Sequence, residues 1–191
     1  MEKLGEEGSS SEKLMETGEA TRVPLVSIAV PSLKLYEDLK DAKAALDSFG
    51  VESEVCIVAA HWAPKKTLRF IAEIDSKGVE VIIAAADGSA HLPGMIASLT
   101  TMPVIGVPLR GTSLDGLDSL LSIVQMPLGV PVGTMAINSA YNAGVYACQI
   151  LSLKYPHLRD KLKQHKELME EKVETEDANH KRSSRPAKGG F

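Results

Sequence analysis

Apolar residues fall into short runs separated by stretches with helical spacing. Residues 23–30 form such a run, ending at Pro31, which predicts a buried strand and then a turn. Between 37 and 49, Leu39, Ala42, Ala45, Leu46 and Phe49 recur near the 3.6-residue period, and Gly50 supplies a residue suited to closing a helix. The alternation continues with strand 54–59, then helix 62–77, opened by Pro64 and closed by Gly78. It goes on through strand 79–86, helix 91–100, strand 104–107, helix 116–125, strand 132–136 and helix 140–153. Strands so rich in Val, Ile and Ala are apolar on both faces, as when helices cover a parallel sheet on either side.

Repeated strand–helix units with right-handed crossovers predict a doubly wound α/β fold. The expectation is a flavodoxin-like three-layer sandwich with a parallel sheet of about five strands, whose ligands bind beyond the carboxyl ends of the strands. Residues 23–156 form the expected α/β domain. Residues 1–22, rich in Glu, Ser and Gly, are expected to be a flexible tail. Residues 157–174 alternate charge with Leu158, Leu162, Leu168 and Met169, which predicts a C-terminal amphipathic helix whose apolar stripe packs on a neighbouring subunit. Residues 175–191 are expected to be disordered.

Composition narrows the chemistry. Aromatics make up only 4% of the chain, so the core must be built mainly from Ala, Val, Ile and Leu. A formal charge of -4 gives no basic field for a phosphate backbone, which argues against nucleic acid as a partner. Cys56 and Cys148 lie in apolar segments without paired-ligand spacing, so they read as free thiols, and no metal site is expected. No stretch approaches the roughly 20 apolar residues that span a bilayer. The N-terminus lacks a signal core or a transit-peptide composition, which makes the cytoplasm the expected location.

Residues able to carry chemistry sit where the loops after the strands should be: Pro31-Ser32, His61-Trp62, and 87–94 (Asp-Gly-Ser-Ala-His-Leu-Pro-Gly). A histidine moves protons near neutral pH, since its ordinary pKa is ~6.5. Taken singly, His61 or His91 reads equally as a helix cap or a ligand to a backbone carbonyl. The run 116–134, with its Ser-Ile-Val-Gln-Met-Pro block, together with Ser89 to Met95 and Asn142-Ala143-Gly144, resembles the class I aminoimidazole ribonucleotide carboxylase/mutase family of bacteria, fungi and plants. The resemblance covers about residues 25–170.

That resemblance implies a homo-octamer with sites where subunits meet, and a reaction in purine (IMP) biosynthesis. A carboxylate passes from the exocyclic nitrogen of carboxyaminoimidazole ribonucleotide to an imidazole carbon, through release and capture of carbon dioxide, without metal or organic cofactor. The family's Ala-His-Arg-Thr-Pro motif aligns with 60–64 (Ala-His-Trp-Ala-Pro), so His61 inherits the proton-shuttle role, with Ser32, Ser89 and His91 as substrate contacts. Five positions depart from the family pattern. Pro31 and Leu35 stand in its Gly-Ser-x-Ser-Asp loop, Trp62 replaces a phosphate-binding arginine, and Ala85 and Asp87 replace glycines. Lys34 is a candidate to restore phosphate charge. Three outcomes follow: an active enzyme, a catalytically impaired paralogue that keeps the fold and assembles alone or with an active relative, or a shifted enzyme that uses the same cleft and His61 on a smaller or non-phosphorylated substrate. Membership of a plant fusion would place the chain in a plastid.

Overall fold

The computed structural model describes residues 25–111 and 114–183. Five parallel strands, β1 (Val26–Val30), β2 (Ser53–Ile57), β3 (Val81–Asp87), β4 (Val104–Leu109) and β5 (Gly133–Thr134), form one sheet in the order β2-β1-β3-β4-β5. This is the flavodoxin-like order, in which the chain winds one way from β1 to β2 and then returns across β1 to build the other half.

Side chains alternate across the sheet, so each central strand feeds two cores. On one face, Val26, Ile28, Val81, Ile83, Ile105 and Val107 pack with residues of α2 (Lys40–Ser48) and α6 (Ala140–Leu151). On the other face, Ala29, Ile82, Ala84 and Val104 meet Phe70 and Ile74 of α3 (Pro64–Lys77) and Leu92 and Ile96 of α4 (His91–Leu99). Helix α5 (Leu117–Val124) reaches the sheet through Ile123, beside Ala86.

Several boundaries differ from those the pattern suggests. The expected helix 37–49 is split into a 3-10 turn (Glu37–Leu39) and α2, and a turn of helix, α1 (Leu33–Tyr36), precedes it. Strand 132–136 shrinks to two residues of ladder; beyond Thr134 the chain stays tied to β4 by separate bonds, from the Met135 amide to the Gly106 carbonyl and from the Asn138 amide to the Pro108 carbonyl. The last helix, α7 (Pro156–Ser183), runs nine residues past the expected end at 174, correcting the expectation of disorder from 175 onward. Its distal part is exposed and rich in Lys and Glu, which hold helical geometry without burial, and Lys181 pairs with Asp177 one turn back. The expected tail 1–22 and residues 184–191 lie outside the described residues.

Two contacts tie the layers together. Gly144 brings α6 against α2 so closely that a Cβ there would sit 2.6 Å from the Ala42 carbonyl oxygen and 2.8 Å from the Ala45 Cβ. At the amino ends of the strands, Glu80 accepts from the Lys154 ammonium and the Tyr155 hydroxyl, both at 2.6 Å, anchoring the α6–α7 junction beside β3. Burial alone would raise the Glu80 carboxyl, but these two donors outweigh it and hold it below the usual carboxylate range. Both thiols are free; burial pushes Cys148 up to about 12 and raises Cys56 as well, so each is protonated at neutral pH.

Two consequences are measurable by urea denaturation. Gly144→Ala forces backbone apart and is expected to cost about 2–3 kcal/mol. Because the Glu80 carboxyl titrates lower when folded than when unfolded, its contribution is present above the ordinary carboxylate pKa and fades as pH falls through the folded value. Glu80→Gln is therefore expected to cost about 1 kcal/mol at neutral pH, with the gap to the wild type closing below about pH 4.

Candidate active site

The reversal of winding at β1 opens a crevice above the carboxyl ends of β1, β2 and β3, and a cavity of about 490 Å³ lies in it. Each strand delivers a short loop to the rim. After β1 come Pro31 and Ser32, then Lys34 and Leu35 on α1; after β2 come Ala60, His61 and Trp62; β3 brings Ala85, Asp87, Ser89 and His91. All nine positions singled out from the sequence thus line one cavity, joined by Lys34 and Leu92.

The two imidazoles are neighbours. His61 and His91, from different loops, have ring centroids 5.5 Å apart at 66° to one another, and the Trp62 indole meets the other side of His61 at 5.8 Å, nearly perpendicular. A row of three aromatic rings therefore borders the cavity. Trp62 is 82% exposed, which places a large apolar ring at the mouth where it covers nothing of the core. Leu35 is half-buried and packs against the core beneath the β1 loop, whereas Ala85 is wholly buried within β3 and forms floor. Lys34 supplies the fixed positive charge among the lining residues and Asp87 the carboxylate. The Asp87 carboxylate leans toward the β4–α5 loop, since a Cβ on Gly111 would lie 3.1 Å from its Oδ1.

The β3–α4 loop is held from outside the cavity. Its Gly88 amide donates to the Ser119 hydroxyl at 2.7 Å and its Ala90 amide to the Ser122 hydroxyl at 2.9 Å, both on α5. The Ser89 amide between them closes on the Asp87 carbonyl at 2.8 Å, and Gly88 takes a φ of 71° that allows the tight return. Sequence reasoning passed over Ser119 and Ser122; the available signal was a pair of hydroxyls three residues apart on a helix whose other residues, Asp118 apart, are apolar. Among the described residues, no group of three or more His, Cys, Asp and Glu is arranged to hold a metal ion, and no helix is long and apolar enough to cross a membrane.

Residues 25–172 match the family model described as AIR carboxylase. The chain is 49% identical over 151 residues to the N5-carboxyaminoimidazole ribonucleotide mutase of Pyrococcus horikoshii, covering 79% of this chain and 85% of that one. The Thermotoga maritima protein of the same name is also 49% identical, with 79% and 88% covered. A phosphoribosylaminoimidazole carboxylase of Schizosaccharomyces pombe is 48% identical over 145 residues, 76% of this chain and 26% of that longer one. Among solved structures, Treponema denticola PurE superposes with a TM-score of 0.75 at 24% identity, over 82% of this chain and 98% of that chain, a likeness of fold.

His61 and Trp62 stand outside the core, so folding does not depend on them. Trp62→Ala and His61→Asn, at exposed positions, are expected to change unfolding free energy by no more than about 0.5 kcal/mol. Ala85→Leu, which overfills the wholly buried floor, is expected to cost about 1–3 kcal/mol in the same urea titrations.

Proposed function

Because the chain belongs to the AIR carboxylase family, we propose that its cleft performs the carboxylate-placing step on aminoimidazole ribonucleotide in purine (IMP) biosynthesis. The observation that carries this reading is the convergence of Ser32, His61, Ser89 and His91 on one cavity at the sheet's switch point, with the two imidazoles in contact. In this reading the carbon–nitrogen bond of the substrate carbamate breaks and leaves its electron pair on nitrogen. The nitrogen takes a proton relayed through the His61 imidazole. The freed carbon dioxide forms a bond to the imidazole carbon, and His61 takes the proton that this carbon then loses. The confined crevice keeps the gas near the ring. Ser32 and Ser89 donate to the ribose phosphate, Lys34 supplies the charge that faces it, and His91 flanks the ring. No metal or organic cofactor takes part.

A second reading rests on the other lining residues. Trp62 brings one neutral donor where a guanidinium fork would bind phosphate, Pro31 has no amide hydrogen to offer, Leu35 is apolar, and Asp87 adds like charge. These favour a catalytically impaired paralogue that keeps the fold and enters an oligomer as a structural or regulatory subunit, alone or mixed with an active relative. In either reading we propose assembly as a homo-octamer. Leu117, Leu121 and Val124 form an exposed stripe on α5, Leu128 is fully exposed beside it, and α7 exposes Leu168, Met169 and Val173. We place the protein in the cytoplasm, or in a plastid if it belongs to a plant fusion.

Trp62 is the only tryptophan in the chain, so its fluorescence reports directly on occupancy of the cleft. Titration with aminoimidazole ribonucleotide is expected to quench it with micromolar affinity. His61→Asn is expected to keep binding and lose turnover of the carbamate. Trp62→Arg is expected to tighten binding about 10- to 100-fold, the worth of one charge-assisted contact. Light scattering is expected to give eight times the chain mass of 20.4 kDa. Binding seen only in a Trp62→Arg, Leu35→Asp double variant would transfer the conclusion to the impaired paralogue, and a monomer would remove the octamer.

A further inference from the structure

We propose that Ser119 and Ser122 are positioning residues of the cleft: their hydroxyls clamp the β3–α4 loop and so set Ser89 and His91 against His61. This rests on the reading of the crevice as the functional site. A serine inside a helix commonly bonds back to its own helix one turn earlier, and such a bond does nothing for a neighbouring loop. Ser119 departs from that habit. Its hydroxyl is wholly buried, donates to the Leu109 carbonyl at the end of β4 at 3.0 Å, and accepts from the Gly88 amide at the end of β3. It therefore bridges the ends of two adjacent strands.

Ser122 spends its proton on the Ser119 carbonyl at 2.8 Å, which leaves a lone pair for the Ala90 amide. The two hydroxyls are three residues apart on α5 and receive amides two residues apart on the loop. One turn of helix thereby meets the tight return of the loop. Within the loop the Ser89 amide bonds the Asp87 carbonyl, while the Gly88 and Ala90 amides on either side turn outward to the two hydroxyls. Ala90 is buried, so its amide pays for desolvation unless a hydroxyl receives it. The next residue is His91, the first of α4, whose ring lies against His61. A shift of the loop therefore changes the spacing of the two imidazoles and the aim of the Ser89 hydroxyl together.

The test compares Ser119→Ala, Ser122→Ala and Ser122→Thr in the full chain. Three readouts are taken: amide exchange at Gly88 and Ala90, the His91 ring resonances, and affinity for aminoimidazole ribonucleotide. Each alanine variant is expected to speed exchange at its own amide about tenfold or more, move the His91 resonances, and weaken ligand about tenfold, the equivalent of 1.4 kcal/mol. Ser122→Thr, which keeps the hydroxyl at a half-buried position, is expected to restore wild-type values in all three. Should Ser119→Ala fail to fold, the half-buried Ser122 pair decides alone. Unchanged exchange and unchanged His91 resonances in a folded alanine variant would overturn the clamp. So would faster exchange with wild-type affinity, which would make the hydroxyls structural only. If the wild type itself binds no ribonucleotide, the functional reading fails; exchange and the His91 resonances then decide the clamp by the same criteria.

Discussion

The structure depends on one topological constraint: the chain leaves β1 in one direction and returns across it in the other, and crossovers between parallel strands are right-handed as a rule. Helices α2 and α3 therefore sit on opposite faces of the sheet, and the loops above β1 and β3 diverge. A gap opens between them that no side chain of the hydrophobic layers can fill. The candidate site occupies that gap, and its residues come from three loops far apart in sequence because three strand ends border it.

A gap made by diverging loops is useful only if the loops stand still, and the fold steadies them by different means. The β1 loop runs directly into α1, with Leu35 and Tyr36 packed on the core. The β2 loop folds into α3 through amides bonded to the Ala59 and Ala63 carbonyls. The β3 loop runs into α4, with the Gly94 amide on the Ala90 carbonyl and Leu92 in the core, and leans in addition on α5. One face of α5 is thus polar toward that loop while the opposite stripe of Leu117, Leu121 and Val124 lies open to solvent. The same helix that steadies the site offers apolar surface for the proposed assembly, so contacts made there bear on a support of the cleft.

Close contacts between layers also lie away from the cleft. Gly144 lets α6 settle against α2, and Glu80 fastens the α6–α7 junction to the amino end of β3. The carboxyl ends carry the exposed rings and unfilled space. The proposed chemistry thus sits on loops and rings outside the buried layers, so the fold does not depend on an exposed side chain such as Trp62.

The sequence by itself determined the strand–helix alternation, the fold class and the loops holding the polar residues, because each follows from local periodicity and from turn residues such as Pro64 and Gly78. It also named nine of the residues that line the cavity, since family resemblance and strand-end placement pointed the same way. Only tertiary structure decided that His61 and His91 touch, that the last strand is two residues long, and that α5 supports the β3 loop. These depend on pairings between residues some 30 apart in sequence, such as Gly88 with Ser119, and on competition among long-range hydrogen bonds that no local pattern encodes. The reach of α7 to Ser183 was missed for the opposite reason: its distal turns are held by charge and propensity alone, without the apolar periodicity from which helices are read.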